Sequence, residues 1–160
     1  MLVWYSWEMP PEATVIVRVL LGTALGFVLG FERGLRGSPA GDRTFSLIGA
    51  AAAAVTAVSY QHSPQTVAGI ITGIGFIGGG VVFHGEDSLI RGITTAAAVF
   101  VMAAIGILVG TGDALAAIVL TLLVLLVLEV GHLRMLRWFD AQYYQGRFKQ
   151  DSDGPRNPPE

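Results

Sequence analysis

The sequence predicts an all-α integral membrane protein with five transmembrane helices, its N-terminus outside and its C-terminus in the cytoplasm. Hydrophobic residues make up 52% of the 160 residues and charged residues 14%, against roughly 25% charged in soluble domains. The apolar residues form five runs, each about long enough to cross a bilayer core of roughly 30 Å. The arginines and lysines lie almost entirely in segments that would share one side of the membrane.

The five predicted spans follow one another with short connections. They cover residues 15–31, 45–60, 67–83, 93–110 and 114–130. The second is the shortest and is mostly alanine. One such run would also fit a buried helix of a soluble protein, but five in succession favour a membrane domain. The predicted organisation is an external arm over 1–14, the transmembrane domain over 15–130, an interfacial amphipathic tail over 131–150 and a disordered end over 151–160.

The orientation follows from the positive residues, which are enriched on the cytoplasmic side of membrane proteins. With five spans, nine of the ten lie in the first loop, the third loop or the C-terminal tail. Four or six spans would break this pattern. The exception, Arg18, is near the outer end of the first span, and we expect its side chain to extend to the lipid headgroups.

Several classes of function find no support in the residues. The chain has no cysteine, and its formal net charge of −2 argues against nucleic acid as a partner. Its three histidines lie in different loops, so the sequence indicates neither a zinc site nor a catalytic triad. We therefore expect no enzyme activity.

Small residues mark the expected helix contacts, because leucine gains little from leaving lipid. The first span carries Gly22, Gly26 and Gly30, followed by Gly34, so a flat stripe runs along one face. This stripe would permit close packing either within the chain or in a homo-oligomer. The fifth span, rich in leucine and valine, is expected at the periphery, facing lipid.

The third span contains the densest glycine cluster. Gly73 to Gly78 match the dinucleotide-binding pattern, but that pattern requires a strand before it, and here an apolar span surrounds it. Glycine weakens a helix, so the segment is predicted either to pack tightly against the first span or to unwind and line a cation path with carbonyl groups. The residues concerned are Gly69, Thr72, Gly73, Gly75, Gly78, Gly79 and Gly80.

Charged residues gather in the first and third loops. Four carboxylates face four arginines there, and this balance favours a network of ion pairs over an acidic vestibule for Mg²⁺. Glu32 with Arg91 and Asp42 with Arg91 are the predicted pairs between the loops. Hydroxyls of Thr94 and Thr95 are predicted to cap the fourth span, and Thr44 the second. The candidate polar cluster comprises Glu32, Arg33, Asp42, Arg43, Glu86, Asp87, Arg91, Thr94 and Thr95.

Four motifs resemble the MgtC/SapB family of bacterial inner-membrane proteins over roughly residues 15–130. They are Leu29-Gly-Phe-Glu-Arg33, Pro39-Ala-Gly-Asp-Arg-Thr44, Thr72-Gly-Ile-Gly-Phe-Ile-Gly-Gly-Gly-Val-Val-Phe83 and Ile90-Arg-Gly-Ile-Thr-Thr-Ala-Ala97. One departure is Gly34, where the family often has a glutamate. The chain is most similar to the short SapB-like branch without a soluble C-terminal domain.

The resemblance implies a multi-pass protein of the inner membrane, linked to magnesium homeostasis. It favours a regulator or accessory protein that acts through other membrane proteins, such as the ATP synthase or a transporter. The alternative is a transporter or channel for Mg²⁺ or another cation, built on the glycine-rich third helix. We expect no resident cofactor, and the residues do not identify ligands for Mg²⁺.

Overall fold

The structure, a computed structural model, describes residues 11–60, 62–82 and 92–129. These residues form five α-helices and no strand: α1 (Pro11–Leu35), α2 (Asp42–Ser59), α3 (Gln65–Val82), α4 (Ile93–Thr111) and α5 (Ala114–Glu129). The prediction of an all-α protein is thus confirmed for this part of the chain, and each helix overlaps one predicted span. The interfacial tail over 131–150, the end over 151–160 and most of the N-terminal arm lie outside the described residues.

Three helices are long and apolar enough to cross a membrane, namely α1 from Glu12 to Leu35, α3 and α4. The described part of α5 is also apolar but has 16 residues. α2 is less apolar, since it begins with Asp42 and Arg43 and six of its 18 residues are alanine. The apolar helices indicate a membrane protein, while the count of five spans and their orientation stay predictions.

α2 occupies the centre of the helix packing, because both α1 and α4 pack along it. Its buried residues recur every three or four positions, from Phe45 to Thr56. α1 also packs on α4, and α3 packs mainly on α4. Phe45, Met102 and Ile105 are fully buried in this arrangement. α1 and α4 thus cover part of the surface of α2. This position suits a helix rich in alanine, because alanine gains less than larger apolar side chains from contact with lipid.

The corner between α4 and α5 is held by Arg18 of α1. Its Nη1 donates a hydrogen bond of 2.6 Å to the carbonyl oxygen of Gly110. A cation at this place interacts favourably with the C-terminal end of the α4 dipole. α4 ends at Thr111 and is followed by Gly112, whose φ of +104° favours glycine. Arg18 thus has an acceptor on α4 that the sequence did not identify, and the expected extension of its side chain to the headgroups stays a prediction.

The chain divides into two compact units, Met1–Leu122 and Leu123–Glu160. The first contains α1 to α4 and the start of α5. The described part of the second is the rest of α5, which ends at Glu129. All the contacts discussed below lie in the first unit.

Candidate functional site

Three glycines of α1 form the contact with α2. A Cβ atom at Gly22 would lie 2.7 Å from the carbonyl oxygen of Gly49, and one at Gly30 would lie 2.7 Å from the Cα atom of Asp42. At Gly26 it would meet the carbonyl group of Phe45. The two backbones can approach this closely only because these side chains are absent. The glycine stripe of α1 is therefore used within the chain as far as Gly30.

α4 approaches α2 by the same means. A Cβ atom at Gly106 would lie 2.6 Å from the Cβ atom of Ala52, and one at Gly110 would collide with the side chain of Thr56. From the sequence, Gly106 was one of the small residues of the fourth span expected at a helix contact, whereas Gly110 was not singled out. Their spacing of four residues in an apolar helix is nevertheless the same signal that identified the stripe of α1.

The candidate polar cluster centres on Glu32, near the end of α1. Its Oε2 accepts a hydrogen bond of 2.6 Å from Nε of Arg33, and its Oε1 accepts one of 2.7 Å from Nε of Arg36. Nη2 of Arg33 adds a third bond to Oε1 at 2.9 Å. Arg33 is only 8% exposed. The partners that the structure describes for Glu32 are thus its sequence neighbours Arg33 and Arg36. The pair with Arg36 could have been predicted from the sequence, because residues four apart on a helix lie side by side.

A pair of hydroxyls joins the first loop to the start of α4. Oγ of Ser38 lies 3.0 Å from Oγ1 of Thr95, and Thr95 is buried. This pairing places the segment after α1 against the first turn of α4. The sequence identified Thr95 but gave it a different role, and it did not identify Ser38.

The predicted helix caps are wrong. α4 begins after Gly92, and among the described residues no side chain caps this end. The φ of Gly92 is +88°, and a Cβ atom there would lie 2.8 Å from the carbonyl oxygen of Val81, so backbone geometry decides this position. Thr95 bonds to Ser38 instead, and Thr94 is exposed. α2 begins after Gly41, again without a side-chain cap in the described structure, so Thr44 lies inside the helix.

The remaining members of the cluster are not brought together by the described residues. Asp42 opens α2 beside Gly30, and Arg43 next to it is exposed. Glu86, Asp87 and Arg91 lie outside the described residues, so the pairs of Glu32 and Asp42 with Arg91 stay predictions. Within residues 11–60, 62–82 and 92–129, no group of three or more acidic or histidine side chains is placed to hold a metal ion.

The glycines of α3 differ from those of α1 and α4. α3 is one continuous helix, and a Cβ atom at Gly69, Gly73, Gly75, Gly79 or Gly80 would meet no atom of the described residues within 4 Å. Thr72 bonds to the carbonyl oxygen of Ala68 in its own helix. Gly78 alone has a neighbour, since its Cβ would lie 3.7 Å from that of Ala96. The structure thus shows neither the tight packing against α1 nor the unwinding expected for this segment.

An apolar groove of about 360 Å³ separates α3 from α2. Only aliphatic side chains and glycines line it: Leu47, Ile48, Ala51, Ala52 and Val55 of α2, and Gly69, Ile70, Gly73, Ile74 and Ile77 of α3. The exposed Phe76 lies next to this wall on α3, with 86% of its surface accessible. The arrangement suits contact with hydrocarbon or with apolar side chains, and the lining offers no charged group.

Three relatives are similar to this chain over different shares of its length. A "Putative magnesium transporter YhiD" of Escherichia coli K12 is 35% identical over 145 residues, which are 82% of this chain and 67% of the relative. "Protein SapB" of Bacillus subtilis is 32% identical over 120 residues, covering 67% of this chain and 51% of the relative. "Protein MgtC" of Brucella abortus is 43% identical over 93 residues, covering 55% of this chain and 39% of the relative.

The chain thus spans from about two fifths to two thirds of the length of these relatives. No solved structure matches it at a significant level. The sequence profile of the MgtC family matches residues 19–134, which include all the glycines discussed above and the described members of the polar cluster. The resemblance drawn from the four motifs is therefore confirmed, and the chain belongs to the MgtC family.

Proposed function

We propose that the protein is a non-enzymatic regulator or accessory protein of the bacterial inner membrane, linked to magnesium homeostasis and acting through other membrane proteins. The observation that carries this proposal is the open face of α3. On the side of α3 that does not line the groove, Gly75 and Phe76 are exposed, and a Cβ atom at Gly75 or Gly79 would meet no neighbouring helix within 4 Å. A transmembrane helix of another protein is the partner that such a face would accept.

The physics of helix association in lipid supports this assignment. Apolar side chains gain little from leaving lipid for a helix interface, so close backbone packing has to supply the attraction. α1, α2 and α4 obtain that packing from one another at Gly22, Gly49 and Gly106. α3 obtains little of it within the chain, so its glycines are available to a second protein. The name of the Escherichia coli relative adds the connection to magnesium.

Site-specific photo-crosslinking in living cells tests the proposal. A photoreactive residue at Phe76 is expected to form a discrete adduct with a membrane protein, and one at Leu115 of α5 serves as a matched control because it is 77% exposed. Equal labelling at both sites would indicate lipid-facing surfaces without a partner and would contradict the proposal.

A growth assay decides whether the contact matters. In cells that need this protein for growth at low Mg²⁺, Gly75→Leu is expected to abolish complementation while the protein accumulates normally. Ala116→Leu, which places the same leucine side chain at an exposed position of α5, should retain complementation. Normal growth with Gly75→Leu would contradict a role for this face.

The alternative is a cation transporter, which the name of the Escherichia coli relative favours. Purified protein in sealed liposomes separates the two functions, with Arg91→Ala as the comparison. The regulator produces no Mg²⁺ flux, whereas a transporter produces saturable flux that the substitution alters. If flux occurs, Gly75→Leu and Gly79→Leu should abolish it in folded protein when α3 forms the path.

A further inference from the structure

The groove between α2 and α3 has a buried floor and an exposed rim. Ile48, Ala52 and Ile74 belong to the floor and are at most 8% exposed. Leu47 and Ile77 belong to the rim, with 71% and 44% of their surfaces exposed. The groove is therefore open along its side, and in a membrane its apolar lining would be open to hydrocarbon.

Two glycines of α3 make room for the groove. Gly69 and Gly73 line it, and at neither would an added Cβ atom meet a described atom within 4 Å. Glycine costs a helix ~1 kcal/mol relative to alanine, and the glycines of α1 offset that cost by packing on the backbone of α2. Since no described helix fills the space at Gly69 and Gly73, only another molecule would offset their cost.

The dimensions of the groove suit an extended hydrocarbon chain. Its α2 wall runs from Leu47 to Val55 and its α3 wall from Gly69 to Ile77, so each is about 12 Å long at 1.5 Å per residue. One leaflet of a bilayer core is of similar depth, roughly 15 Å. Over that length, the 360 Å³ correspond to a mean cross-section of about 30 Å². A methylene chain, whose carbon atoms pack about 4 Å from their neighbours, fits this section. A helix, about 10 Å across, would lie over the groove without entering it.

A positive charge lies beyond one end of the groove. Arg43 is one turn before Leu47 on the same face of α2, because residues four apart on a helix are neighbours. It is exposed, and none of the described carboxylates forms an ion pair with it. The backbone of Asp42 lies against Gly30 of α1. The N-terminal end of the α2 dipole adds partial positive charge at the same place, so this end of the groove attracts an anion.

We propose that the groove binds an acyl chain of an anionic phospholipid, whose phosphate group binds Arg43. The acyl chain lies along Gly69 and Gly73, and the headgroup lies at the charged start of α2. A guanidinium group forms short, charge-assisted hydrogen bonds with phosphate oxygens. This site is on a different side of α3 from Gly75, so it does not depend on whether the protein regulates a partner or transports an ion.

Photo-labelling with a lipid probe tests the inference. The purified protein is reconstituted into phosphatidylethanolamine vesicles that contain a small share of phosphatidylglycerol with a photoreactive acyl chain. Labelling at Leu47 and Ile77 is expected to exceed labelling at Leu115 of α5 several-fold, although Leu115 is 77% exposed. Labelling of the same strength at all three residues would indicate ordinary contact with the bilayer and would overturn the inference. Weaker labelling in the groove would overturn it as well, because a second copy or another segment of the chain would then fill the groove.

A pair of leucine variants locates the acyl chain. Gly73→Leu fills the groove and should lower labelling at Leu47 about tenfold, because the space cannot hold both side chain and lipid. Gly75→Leu adds the same side chain outside the groove lining and should leave labelling at Leu47 unchanged. Ala51→Leu, at an exposed position of the α2 wall, provides the same test if Gly73→Leu does not fold. If folded groove variants are labelled like Gly75→Leu, the groove does not hold the lipid.

Two substitutions of Arg43 test the headgroup contact. Competition by unlabelled phosphatidylglycerol or phosphatidylethanolamine measures the preference for the anionic lipid. Arg43→Gln should lower this preference about fivefold, which corresponds to the ~1 kcal/mol that a basic residue contributes near anionic lipid. Arg43→Lys keeps the charge and should retain most of the preference. An unchanged preference in Arg43→Gln, or an equal loss in both variants, would show that the charge of Arg43 does not select the lipid.

Discussion

Two helices of this protein are marked by glycine, and they differ in what the glycines contact. In α1, Gly22, Gly26 and Gly30 lie directly on the backbone of α2. In α3, Gly73 and Gly75 are exposed. The same residue type therefore serves a closed contact in one helix and an open surface in the other. Neither helix composition nor glycine spacing distinguishes the two cases.

The difference shows which glycines recover their cost to helix stability through packing and which do not. A glycine that admits a neighbouring backbone recovers, through close packing, the helix stability that it costs. A glycine with open space beside it keeps that cost of ~1 kcal/mol relative to alanine. α3 thus carries an unrecovered cost inside this chain. Such a cost is expected where a helix has to bend or to meet another molecule.

The largest expected effect comes from placing a leucine side chain at a glycine of α1 and, for comparison, at a glycine of α3. Gly26→Leu would drive a side chain into the carbonyl group of Phe45, so we expect a loss of about 3 kcal/mol or more and little accumulation of folded protein. Gly75→Leu, the same change in α3, should leave accumulation near that of the unaltered protein. Quantitative immunoblotting of membrane fractions measures both. Equal losses would mean that α3 is packed as closely as α1.

Substitution by alanine sharpens the comparison, because the added methyl group should destabilise the protein in α1 and stabilise it in α3. Gly22→Ala places Cβ 2.9 Å from that of Ala53 and should destabilise the protein by about 1–3 kcal/mol. Gly73→Ala has open space and should stabilise α3 by up to about 1 kcal/mol. The midpoints of thermal unfolding in detergent should therefore shift in opposite directions. A downward shift for both would indicate a contact at Gly73 that closes in the detergent-solubilised protein.

Arg18 is a second tie between α1 and the core, through its bond to the end of α4. Arg18→Gln shortens the side chain and removes the charge-assisted bond to Gly110, which should cost about 1–2 kcal/mol. The control is Arg43→Gln, because Arg43 is exposed and its change should stay within about 0.5 kcal/mol. Similar unfolding midpoints for the two variants would show that the Arg18 bond contributes little.

The smallest expected effect concerns the ion pairs at the end of α1. Glu32→Gln weakens the bonds to Arg33 and Arg36 and should cost about 1 kcal/mol or less, since partly exposed pairs are screened by water. The cost should shrink further in high salt. Glu12→Gln, at an exposed glutamate near the other end of α1, is the matched control for unfolding.

The same residue tests the function of the polar cluster. If Glu32 and Arg91 act in regulation, Glu32→Gln and Arg91→Ala should each impair growth at low Mg²⁺ while the protein accumulates. When both variants accumulate and complement fully, the hypothesis of a functional polar cluster fails.

Much of the fold was predictable because membrane helices are encoded locally. Apolar runs of sufficient length predict helices without knowledge of their neighbours, and the five helices overlap the five predicted spans. The ends were less predictable. α1 begins at Pro11 and ends at Leu35, several residues beyond the predicted span on each side, because a helix continues into the interface where hydropathy no longer reports it.

The candidate site was predictable in part. The α1 stripe was identified by its spacing, and Glu32 and Arg33 by their charge. The roles of Thr95 and Arg18 were not, since each bonds to a residue more than 50 positions away, Ser38 and Gly110 respectively. Such partners depend on which helix faces which, and one sequence contains no local signal for that choice.

The sequence by itself determined that the described chain is helical, that much of it is apolar enough for a membrane, and that it belongs to its family. These properties follow from composition, run length and motifs. Only the tertiary structure decided which glycines are in contact and which are open. The reason is that a glycine acquires its role from the backbone opposite to it: α2 lies opposite Gly22 and Gly26, whereas a groove lies opposite Gly69 and Gly73.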